Sequence, residues 1–361
     1  MTSTSAAGSA REPQSREALV VSALAPGEEA AWDAFVRSRP DSSHYHRAGW
    51  ARVIRNAFGR RTFYRVARRG AQIEGVLPLV AFAHPLFGRF LVSIPFMNRG
   101  GILSGSDEAT AALVEDAKRL VAETRSDFCE LRHVERALPE LPVREKKISM
   151  SLPLHDDLDL LWKDVGSKVR NLVRKAEKAD LKARHSQGDQ DLDAFYDVFV
   201  ENMRDLGTPV YSGRFFREVF REFPDDVRMT VVEKDGRVAA AGICVAQGGF
   251  TEIHWAASRR DMLRSSPNML LYWECISTAA REGLTEFCFG RSTEDSGPYR
   301  FKKQWGAQPT PLHWEYILAP GKELPEINPD NPKYRAAIRV WQRLPMPVTR
   351  WLGPPIVRHL P

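Results

Sequence analysis

The sequence predicts an α/β protein in which two copies of one structural unit follow each other along the chain. Three observations lead to this prediction. Helical and strand-like patterns alternate, both halves place a hairpin, a long helix and a short strand in the same order, and SDFCELR (126–132) matches TEFCFGR (285–291) at the end of each series. Chance similarity between generic α/β patterns is the alternative.

The first half contains strands and helices in an alternating order. Two β-rich runs on either side of Arg69-Gly70 indicate a hairpin, because glycine permits the turn. Apolar residues spaced three and four apart indicate the helices. The predicted elements are strand 18–24, helix 28–38, helix 47–58, hairpin 62–82, helix 108–125 and strand 127–134.

The second half repeats this order. Its hairpin turns at Asp235-Gly236, a dipeptide that is typical of tight β-turns. Its last strand contains the second copy of the Phe-Cys pair. The predicted elements are hairpin 227–247, strand 250–258, helix 268–283 and strand 285–291.

A basic helix is predicted at 167–180, between the two copies. One face is apolar at helical spacing, and its members are Val169, Leu172, Val173 and Ala176. The rest of the surface is crowded with cations, namely Lys168, Arg170, Arg174, Lys175 and Lys178. A solvated charged surface is the ordinary interpretation, and a contact surface for an anionic substrate is the alternative.

The predicted domain organisation has four parts. They are a disordered leader at 1–15, an N-terminal domain at 16–152, a C-terminal domain at 153–330 and a basic, Trp- and Pro-containing extension at 331–361. The extension either packs on the body of the protein or lies at an anionic membrane surface, because aromatic and basic residues together suit that interface.

Composition narrows the class of protein. Hydrophobic residues make up 43% of the 361 residues, which is enough for sizeable folded cores, and the formal net charge is +6. The four cysteines lie far apart, which argues against a zinc ribbon or a disulfide framework. No apolar run approaches the roughly 18 residues of a membrane span. We therefore expect a cytoplasmic protein, either free or peripheral at the inner face of the cell membrane.

Several segments resemble a known family of transferases. GSKVRNLVRKAEKADL (166–181) resembles the basic helix of FemAB-like proteins. FGRSTEDSGPYRFKKQWG (289–306) and NPKYRAAIRVWQRLPMPV (331–348) resemble one FemAB-like subgroup more specifically. That subgroup is associated with the exosortase/PEP-CTERM systems of Gram-negative bacteria that produce exopolysaccharide.

The resemblance implies a fold and an activity. It implies two tandem GNAT-like acyltransferase domains, with mixed sheets flanked by helices. FemAB proteins proper add amino acids from aminoacyl-tRNA to peptidoglycan precursors, but the resemblance does not settle the substrate of the subgroup. We expect acyl or aminoacyl transfer to an amine on a cell-envelope or exopolysaccharide precursor. The acceptor would be a small molecule or a lipid-linked glycan or peptide, and aminoacyl-tRNA or acyl-CoA would serve as donor co-substrate. We expect no bound cofactor, no metal and no DNA partner.

The sequence departs from the family pattern in three places. It lacks the long helical arm that some FemAB enzymes insert for tRNA contact, which weakens the case for a tRNA donor. Cys288 stands where the subgroup often has an aspartate. The segment RRDMLRSSPNM (259–269) has no glycine, although a GNAT domain that binds acetyl-CoA usually places a glycine-containing loop there to cradle the pyrophosphate.

Two residues are predicted to act in catalysis. Lys302 matches the lysine of the FK motif that FemAB enzymes place near the reacting ester, so we expect it to stabilise the oxyanion of the transition state. Because Lys302 and Lys303 are adjacent, at most one of them is expected to face the cleft. His254 shares a strand face with Glu252 and is the candidate general base.

The remaining candidates are predicted to contact the substrate. Arg291 follows a strand and can hold a phosphate or carboxylate, although an ion pair with Glu294 or Asp295 is the alternative. Ser292 is either a ligand or a turn cap, and aromatic candidates either line the cleft or anchor the loop. The full set is Arg291, Ser292, Tyr299, Lys303, Trp305, Tyr211, Ser212, Asn268, Tyr272, Lys168, Arg170, Arg174 and Lys175.

Two other functions compete with this one. The first is a conventional N-acyltransferase that depends on acyl-CoA. The second is a non-catalytic protein that binds RNA or anionic lipid through the basic helix and the extension; this binding would weaken steeply with salt.

Overall fold

The fold consists of two mixed β-sheets with helices on their faces. A computed structural model of the protein describes residues 17–84, 88–145, 147–186, 188–325 and 332–359, with side chains from 336 onward in the last range. The predicted leader at 1–15 lies outside the described residues. Strands and helices are numbered below in chain order. The predicted architecture of mixed sheets flanked by helices is confirmed.

The first sheet has eight strands, in the order β1-β2-β3-β4-β6-β15-β7, with β5 paired to β3. Its neighbours are antiparallel except for β4 and β6, which run parallel. The strands are β1 (Leu19–Ala23), β2 (Thr62–Arg69), β3 (Gln72–His84), β4 (Gly88–Val92), β5 (Leu103–Ser104), β6 (Phe128–His133), β7 (Val143–Arg144) and β15 (His313–Leu318).

The second sheet has seven strands, in the order β14-β8-β13-β12-β11-β10-β9. Its one parallel pair in the described chain is β12 with β13. The strands are β8 (Ile148–Pro153), β9 (Lys182–His185), β10 (Val227–Lys234), β11 (Arg237–Gln247), β12 (Phe250–Ser258), β13 (Glu286–Ser292) and β14 (Gln308–Pro311).

The helices cover the sheets and fill the connections. They are α1 (Glu29–Ser38), α2 (Gly49–Phe58), α3 (Asp107–Glu123), α4 (Leu158–Asp164), α5 (Ser167–Lys178), α6 (Asp189–Asp205), α7 (Gly213–Glu222), α8 (Pro267–Arg281), α9 (Gly297–Lys303), α10 (Pro332–Arg343) and α11 (Met346–Val357). The predicted strands, hairpins and helices are confirmed in type, with ends displaced by a few residues. The predicted basic helix is α5, and it buries Val169, Val173 and Ala176 as its periodicity indicates.

The duplication is visible in the sheets. In each sheet a hairpin strand is followed by a parallel pair, β4 with β6 and β12 with β13. In the second sheet this parallel pairing covers only Phe250↔Glu286, Thr251↔Phe287 and Glu252↔Cys288. Beyond Glu252 the two strands separate, so the backbone of β12 is left unpaired on the side of β13. This separation creates the gap in which the candidate site lies.

Each predicted domain contributes one strand to the sheet of the other, β8 near the middle of the chain and β15 near its end. The predicted boundary at residue 152 falls inside β8, and β8 pairs with β13 and β14 in the second sheet. Conversely, β15 follows the second sheet in sequence but pairs with β6 and β7 in the first. The chain therefore crosses between the sheets twice, which ties the two halves together.

One apolar core spans both halves. Aromatic residues from the two halves meet in it, and they include Tyr45, Trp50, Phe58, Phe96, Phe195, Phe215, Phe216 and Trp255. An ion pair from Arg47 to Asp226, at 3.0 Å, joins the halves at the edge of this core. Burial of so many aromatic rings favours a fixed arrangement of the halves, because each ring removes a large apolar area from water.

The described part of the C-terminal extension packs on the body through α11. Gly353 lies directly against Val210, and Arg350 forms an ion pair of 2.5 Å with Asp197 on α6. Trp351 on the opposite side of α11 is 76% exposed. No helix in the described ranges is both long enough and apolar enough to cross a membrane.

The docking of α11 can be tested at Gly353. A Cβ at this position would lie 2.8 Å from the backbone nitrogen of Val210, which side-chain movement cannot relieve. We expect Gly353→Ala to lower the free energy of unfolding by about 1–3 kcal/mol and to speed proteolysis at α11. An undocked helix would instead gain about 1 kcal/mol from alanine.

The matched control is Gly213→Ala, at the start of α7, where the added Cβ meets its nearest atoms at an ordinary 3.5 Å. Urea unfolding and limited proteolysis give the two readouts. If Gly353→Ala left both unchanged, the packing of α11 on the body would be contradicted.

Candidate functional site

The candidate site is built around the amino group of Lys302. This lysine lies on α9, a short helix that follows β13 and whose first turn is capped by Ser296. Lys302 turns inward and is only 7% exposed, whereas Lys303 points to solvent beside the ring of Tyr299. The Lys302 Nζ donates hydrogen bonds to the backbone oxygens of Gly290 (2.9 Å) and Arg291 (2.7 Å).

This geometry leaves one hydrogen-bond donor of Lys302 without a partner among the residues that the structure describes. An ammonium group has three N–H donors, and the two carbonyl oxygens use two of them. Lys302 also lines a cavity of about 580 Å³, together with Asn268, Tyr272 and Phe301. Burial lowers the pKa of Lys302 to about 8, so the group is charged at neutral pH but only moderately basic.

Gly290 allows β13 to end next to a buried carboxylate. Its φ of +73° lies in the left-handed region that favours glycine. A Cβ at this position would lie 3.3 Å from Oε1 of Glu252, tighter than an ordinary contact. Glycine is therefore needed both for the backbone turn and for the close approach of Glu252.

Glu252 belongs to a buried hydrogen-bond network that joins the two halves. Its carboxylate accepts hydrogen bonds from the Tyr45 hydroxyl (3.0 Å) and the Asn98 amide (2.9 Å), both from the first half. The ring of His254 lies 3.4 Å away. Burial alone would raise the pKa of Glu252, but His254, Arg99 and these hydrogen bonds lower it to about 2. Glu252 is thus an ionised carboxylate in the protein interior.

The candidate base His254 has both ring nitrogens in contact with protein groups. Its Nε2 lies 3.0 Å from the backbone oxygen of Phe96, which can only accept, so Nε2 carries the hydrogen. Its Nδ1 lies 3.1 Å from the Tyr45 hydroxyl. The side chain is only 6% exposed. The structure therefore places His254 behind Tyr45 in the network, and its role as general base stays a prediction.

The two arginines at matching positions of the duplicated unit have different surroundings. Arg132, at the end of β6, is 2% exposed and donates to Glu130 (2.7 Å) and to the backbone oxygen of Met97 (2.7 Å). Arg291, in β13, is open to solvent, and its guanidinium has no hydrogen bond or ion pair with any described residue, including Glu294 and Asp295. Both guanidinium groups lie over the ring of Trp314, at 4.4 and 5.5 Å.

Arg291 is both accessible and crowded. The surrounding protein atoms, and then the charge of Arg132, lower the pKa of Arg291. A side chain that contacts solvent and is still surrounded on most sides lines a cleft. Tyr211 lies close to the same arginines, and burial raises its pKa while Arg291 and Arg132 oppose that shift.

The aromatic and hydroxyl candidates divide into cavity-lining and core residues. Asn268 and Tyr272 line the cavity beside Lys302. Trp305 is completely buried and Tyr299 is 7% exposed, so both anchor the loop to the core. The Ser292 hydroxyl is buried without a hydrogen-bond partner among described residues, and the turn after β13 is capped by Ser296. Ser212 directly precedes α7 and has no capping hydrogen bond there.

The cations of the basic helix do not share one role. Arg170 donates to the last carbonyls of α4, including that of Lys163 at 2.7 Å, and so caps that helix. Arg174 lies 5.6 Å from the ring centroid of Trp162. Lys168 and Lys175 are exposed on the surface of α5. Lys168, Lys175 and the exposed Arg174 keep the open position expected of an anion-contacting surface, whereas Arg170 does not.

Some site residues were not found by sequence reasoning. Tyr45 and Asn98 reach Glu252 from the first half. Arg99 donates to Ser149, the strand partner of Arg291, and Lys147 lies close enough to Arg291 to be repelled by its charge. Sequence spacing cannot predict these contacts because they depend on how the two halves pack. Within the described ranges, no group of His, Cys, Asp and Glu side chains could hold a metal ion. The HYH segment at 44–46 instead packs within the core.

Comparisons with known proteins agree with the fold. Residues 163–303 match the family model of the acetyltransferase (GNAT) domain. No protein of curated function matches the sequence. The family match identifies 163–303 as an acyltransferase domain of the GNAT type, and the two-sheet fold agrees with a tandem arrangement of such domains.

Three solved structures illustrate the likeness. FemX superposes with a TM-score of 0.68 at 16% identity, over 83% of this chain and 97% of that chain. A domain from Agrobacterium fabrum, assigned as the C-terminal domain of a lysylphosphatidylglycerol synthetase, gives 0.56 at 12% identity, over 87% and 94%. A tandem GNAT protein of the clavulanic acid biosynthesis pathway gives 0.50 at 14% identity, over 84% and 98%. At these identities the likeness concerns the fold.

The buried charge of Glu252 makes a pH-dependent prediction. A carboxylate whose pKa is lowered from 4.5 to about 2 stabilises the fold above pH 4.5, and the stabilisation is lost as the pH falls towards 2. We expect Glu252→Gln to lower the free energy of unfolding at pH 7 by at most about 3 kcal/mol. The difference from wild type should shrink steadily between pH 5 and pH 2.

Glu294→Gln, in the exposed loop after β13, is the control and should change stability by less than about 0.5 kcal/mol. Urea unfolding at several pH values measures both variants. A difference between wild type and Glu252→Gln that did not vary with pH would show that Glu252 is not held ionised by its surroundings.

Proposed function

We propose that this protein is a FemAB-like transferase that moves an acyl or aminoacyl group onto an amine of a cell-envelope or exopolysaccharide precursor. The supporting observation is the inward-facing ammonium group of Lys302, which has one free donor at a cavity of about 580 Å³. The GNAT match ends at residue 303, directly after this lysine. The resemblance of 289–306 and 331–348 to a FemAB-like subgroup supports the same class of reaction.

Lys302 would act on the charge that develops during transfer. When an amine attacks the carbonyl carbon of the donor, the carbonyl oxygen becomes anionic. The third N–H of Lys302 can donate to that oxygen, and the two backbone carbonyls that hold Nζ keep the donor in place. Low local solvation strengthens such a hydrogen bond, and one well-placed donor contributes roughly 3–4 kcal/mol.

The cavity also favours a second candidate, an acyl-CoA donor. The N-terminus of α8 opens onto the cavity, where Asn268 is a lining residue. Ser266 directly before it has a φ of +58° and adopts the left-handed conformation that a loop glycine often supplies. Although the segment 259–269 has no glycine, Ser266 supplies the backbone conformation that the turn before α8 requires. Free N–H groups at a helix N-terminus attract phosphate, so acyl-CoA stands beside aminoacyl-tRNA as a donor.

The direct test compares two adjacent lysines. We expect Lys302→Met to reduce transfer about 10²- to 10³-fold, because it removes the donor to the oxyanion. Lys303→Met should leave transfer within about two-fold, because Lys303 points to solvent. The readout is mass spectrometry of envelope and exopolysaccharide fractions from a deletion strain that expresses wild type or either variant.

Folding must be checked alongside this experiment. Methionine at 302 removes a buried charge whose burial is costly, but it also removes the hydrogen bonds to the backbone oxygens of Gly290 and Arg291. Because these two effects oppose each other, the free energy of unfolding at pH 7 should stay within about 1–3 kcal/mol of wild type. If a folded Lys302→Met variant restored the missing acyl or aminoacyl mass fully, the proposed role would be wrong. That result would favour the non-catalytic binder of RNA or anionic lipid.

The donor and the pH dependence give a further test. Calorimetric titration with acetyl-CoA and long-chain acyl-CoAs identifies an acyl-CoA donor by micromolar binding. Once a donor is known, the transfer rate should fall as the pH rises through about 8, because Lys302 then loses the proton that makes it a charged donor. A rate that kept rising with pH through 9 would indicate that the neutral amine is the active form.

A further inference from the structure

A row of cations lies on one face of the ladder formed by β8 and β13. Ser149 pairs with Arg291 in this antiparallel ladder, and Ile148 pairs with Ser292. Because side chains alternate between faces, Lys147 and Thr293 fall on the same face as Ser149 and Arg291. The contact from Lys147 Nζ to the Thr293 hydroxyl, at 2.6 Å, agrees with this placement.

A third cation reaches the same face from the first half. Arg99 donates from Nη2 to the Ser149 hydroxyl at 3.2 Å. Its closest carboxylate, that of Glu286, lies at 4.0 Å. Its Nε is buried and has no hydrogen-bond partner among the described residues. We call Arg99, Lys147 and Arg291 the basic ladder.

The described acids neutralise the basic ladder only at its Arg99 end. The buried carboxylate of Glu252 and that of Glu286, at 4.0 Å, lie near Arg99, whereas no described carboxylate pairs with Arg291 or Lys147. Among the described residues, the guanidinium of Arg291 has no hydrogen-bond partner, and Lys147 Nζ bonds to the hydroxyl of Thr293 alone. Other acids near Arg291 and Lys147 do not pair with them. Glu145 contacts His313 at 2.9 Å, and Glu294 and Asp295 are exposed. Desolvation by burial, and then the charge of Arg291, lower the pKa of Lys147, so these two cations are close enough to repel each other.

The arginine at the matching position of the first half has a carboxylate partner that neutralises its charge. Arg132 corresponds to Arg291, but Glu130 and a backbone oxygen satisfy it, and Tyr316 completes the group through Glu130 at 2.6 Å. At the Glu130 position the second copy has Phe289. The second copy therefore keeps the arginine without its carboxylate.

We propose that the basic ladder binds a phosphate or diphosphate group of the acceptor substrate. Three neighbouring cations and two hydroxyl groups suit a multiply charged anion, and arginine can donate two parallel hydrogen bonds to phosphate. The assignment of this ligand to the acceptor rests on the proposed function. It places the anion beside the reaction centre, because the Lys302 Nζ contacts the backbone oxygen of Arg291 at 2.7 Å.

Binding is tested with inorganic pyrophosphate, without any need for transfer activity. Isothermal titration of the full chain in metal-free buffer should show binding that weakens with added salt. Arg291→Gln and Lys147→Gln should each weaken binding about 10-fold or more. The control Arg37→Gln, an exposed arginine on α1, should leave binding unchanged. Thermal unfolding confirms that the variants are folded.

The other outcomes overturn the proposal. If wild type did not bind pyrophosphate at millimolar concentration, the proposed site would be wrong. It would also be wrong if Arg37→Gln weakened pyrophosphate binding as much as Arg291→Gln and Lys147→Gln do. Succinate binding with the same affinity and the same dependence on Arg291 would assign a carboxylate instead of phosphate. If Lys302→Met abolishes transfer while pyrophosphate fails to bind, the proposed function stands and only this inference fails.

Discussion

The constraint on which the candidate site depends is the burial of one ammonium group. A lysine removed from water needs hydrogen-bond acceptors, and Lys302 finds two at the end of β13, in the backbone oxygens of Gly290 and Arg291. Those oxygens are accessible because β13 separates from β12 after Cys288. Three features together hold the Lys302 ammonium at the cavity with its third N–H available. They are the separation of β12 from β13, the glycine at position 290 and the inward-facing side of α9.

The two copies of the α/β unit use the same arginine position differently, for stability in the first copy and for the candidate site in the second. In the first copy the arginine after the Phe-Cys strand is buried and satisfied by Glu130, so it stabilises the fold. In the second copy the same position is open, and Glu252 provides the buried negative charge from the neighbouring strand. Tyr45 and Asn98 hold that carboxylate from the first half. The site thus uses the first copy as structural support.

The sequence predicted the fold well because its signals are local. The hairpin turns at Gly70 and Gly236, the apolar face of α5 and the repeat of the Phe-Cys strand each depend on neighbouring residues. It could not predict the exchange of β8 and β15 between the sheets, since strand pairing over long separations has no local pattern. The placement of α11 on α6 is non-local in the same way.

The site could be predicted only in part, for the same physical reason. Adjacent lysines on a short helix must point in different directions, but only packing decides that Lys302 turns inward. The unpaired state of Arg291 depends on where Glu294 and Asp295 point, which spacing does not define. The helix-capping role of Arg170 and the burial of His254 likewise arise from contacts between distant segments.

The most direct test of this account is the pKa of the Lys302 amino group. Lysine side chains labelled with ¹³C at Cε report protonation in an NMR titration, and the Lys302→Met variant assigns the signal. A midpoint of about 8 is expected for the pKa of Lys302, because desolvation by burial outweighs the attraction of the nearby Glu252. A midpoint near the ordinary lysine value of about 10.4 would mean that Lys302 is solvated and would contradict the account.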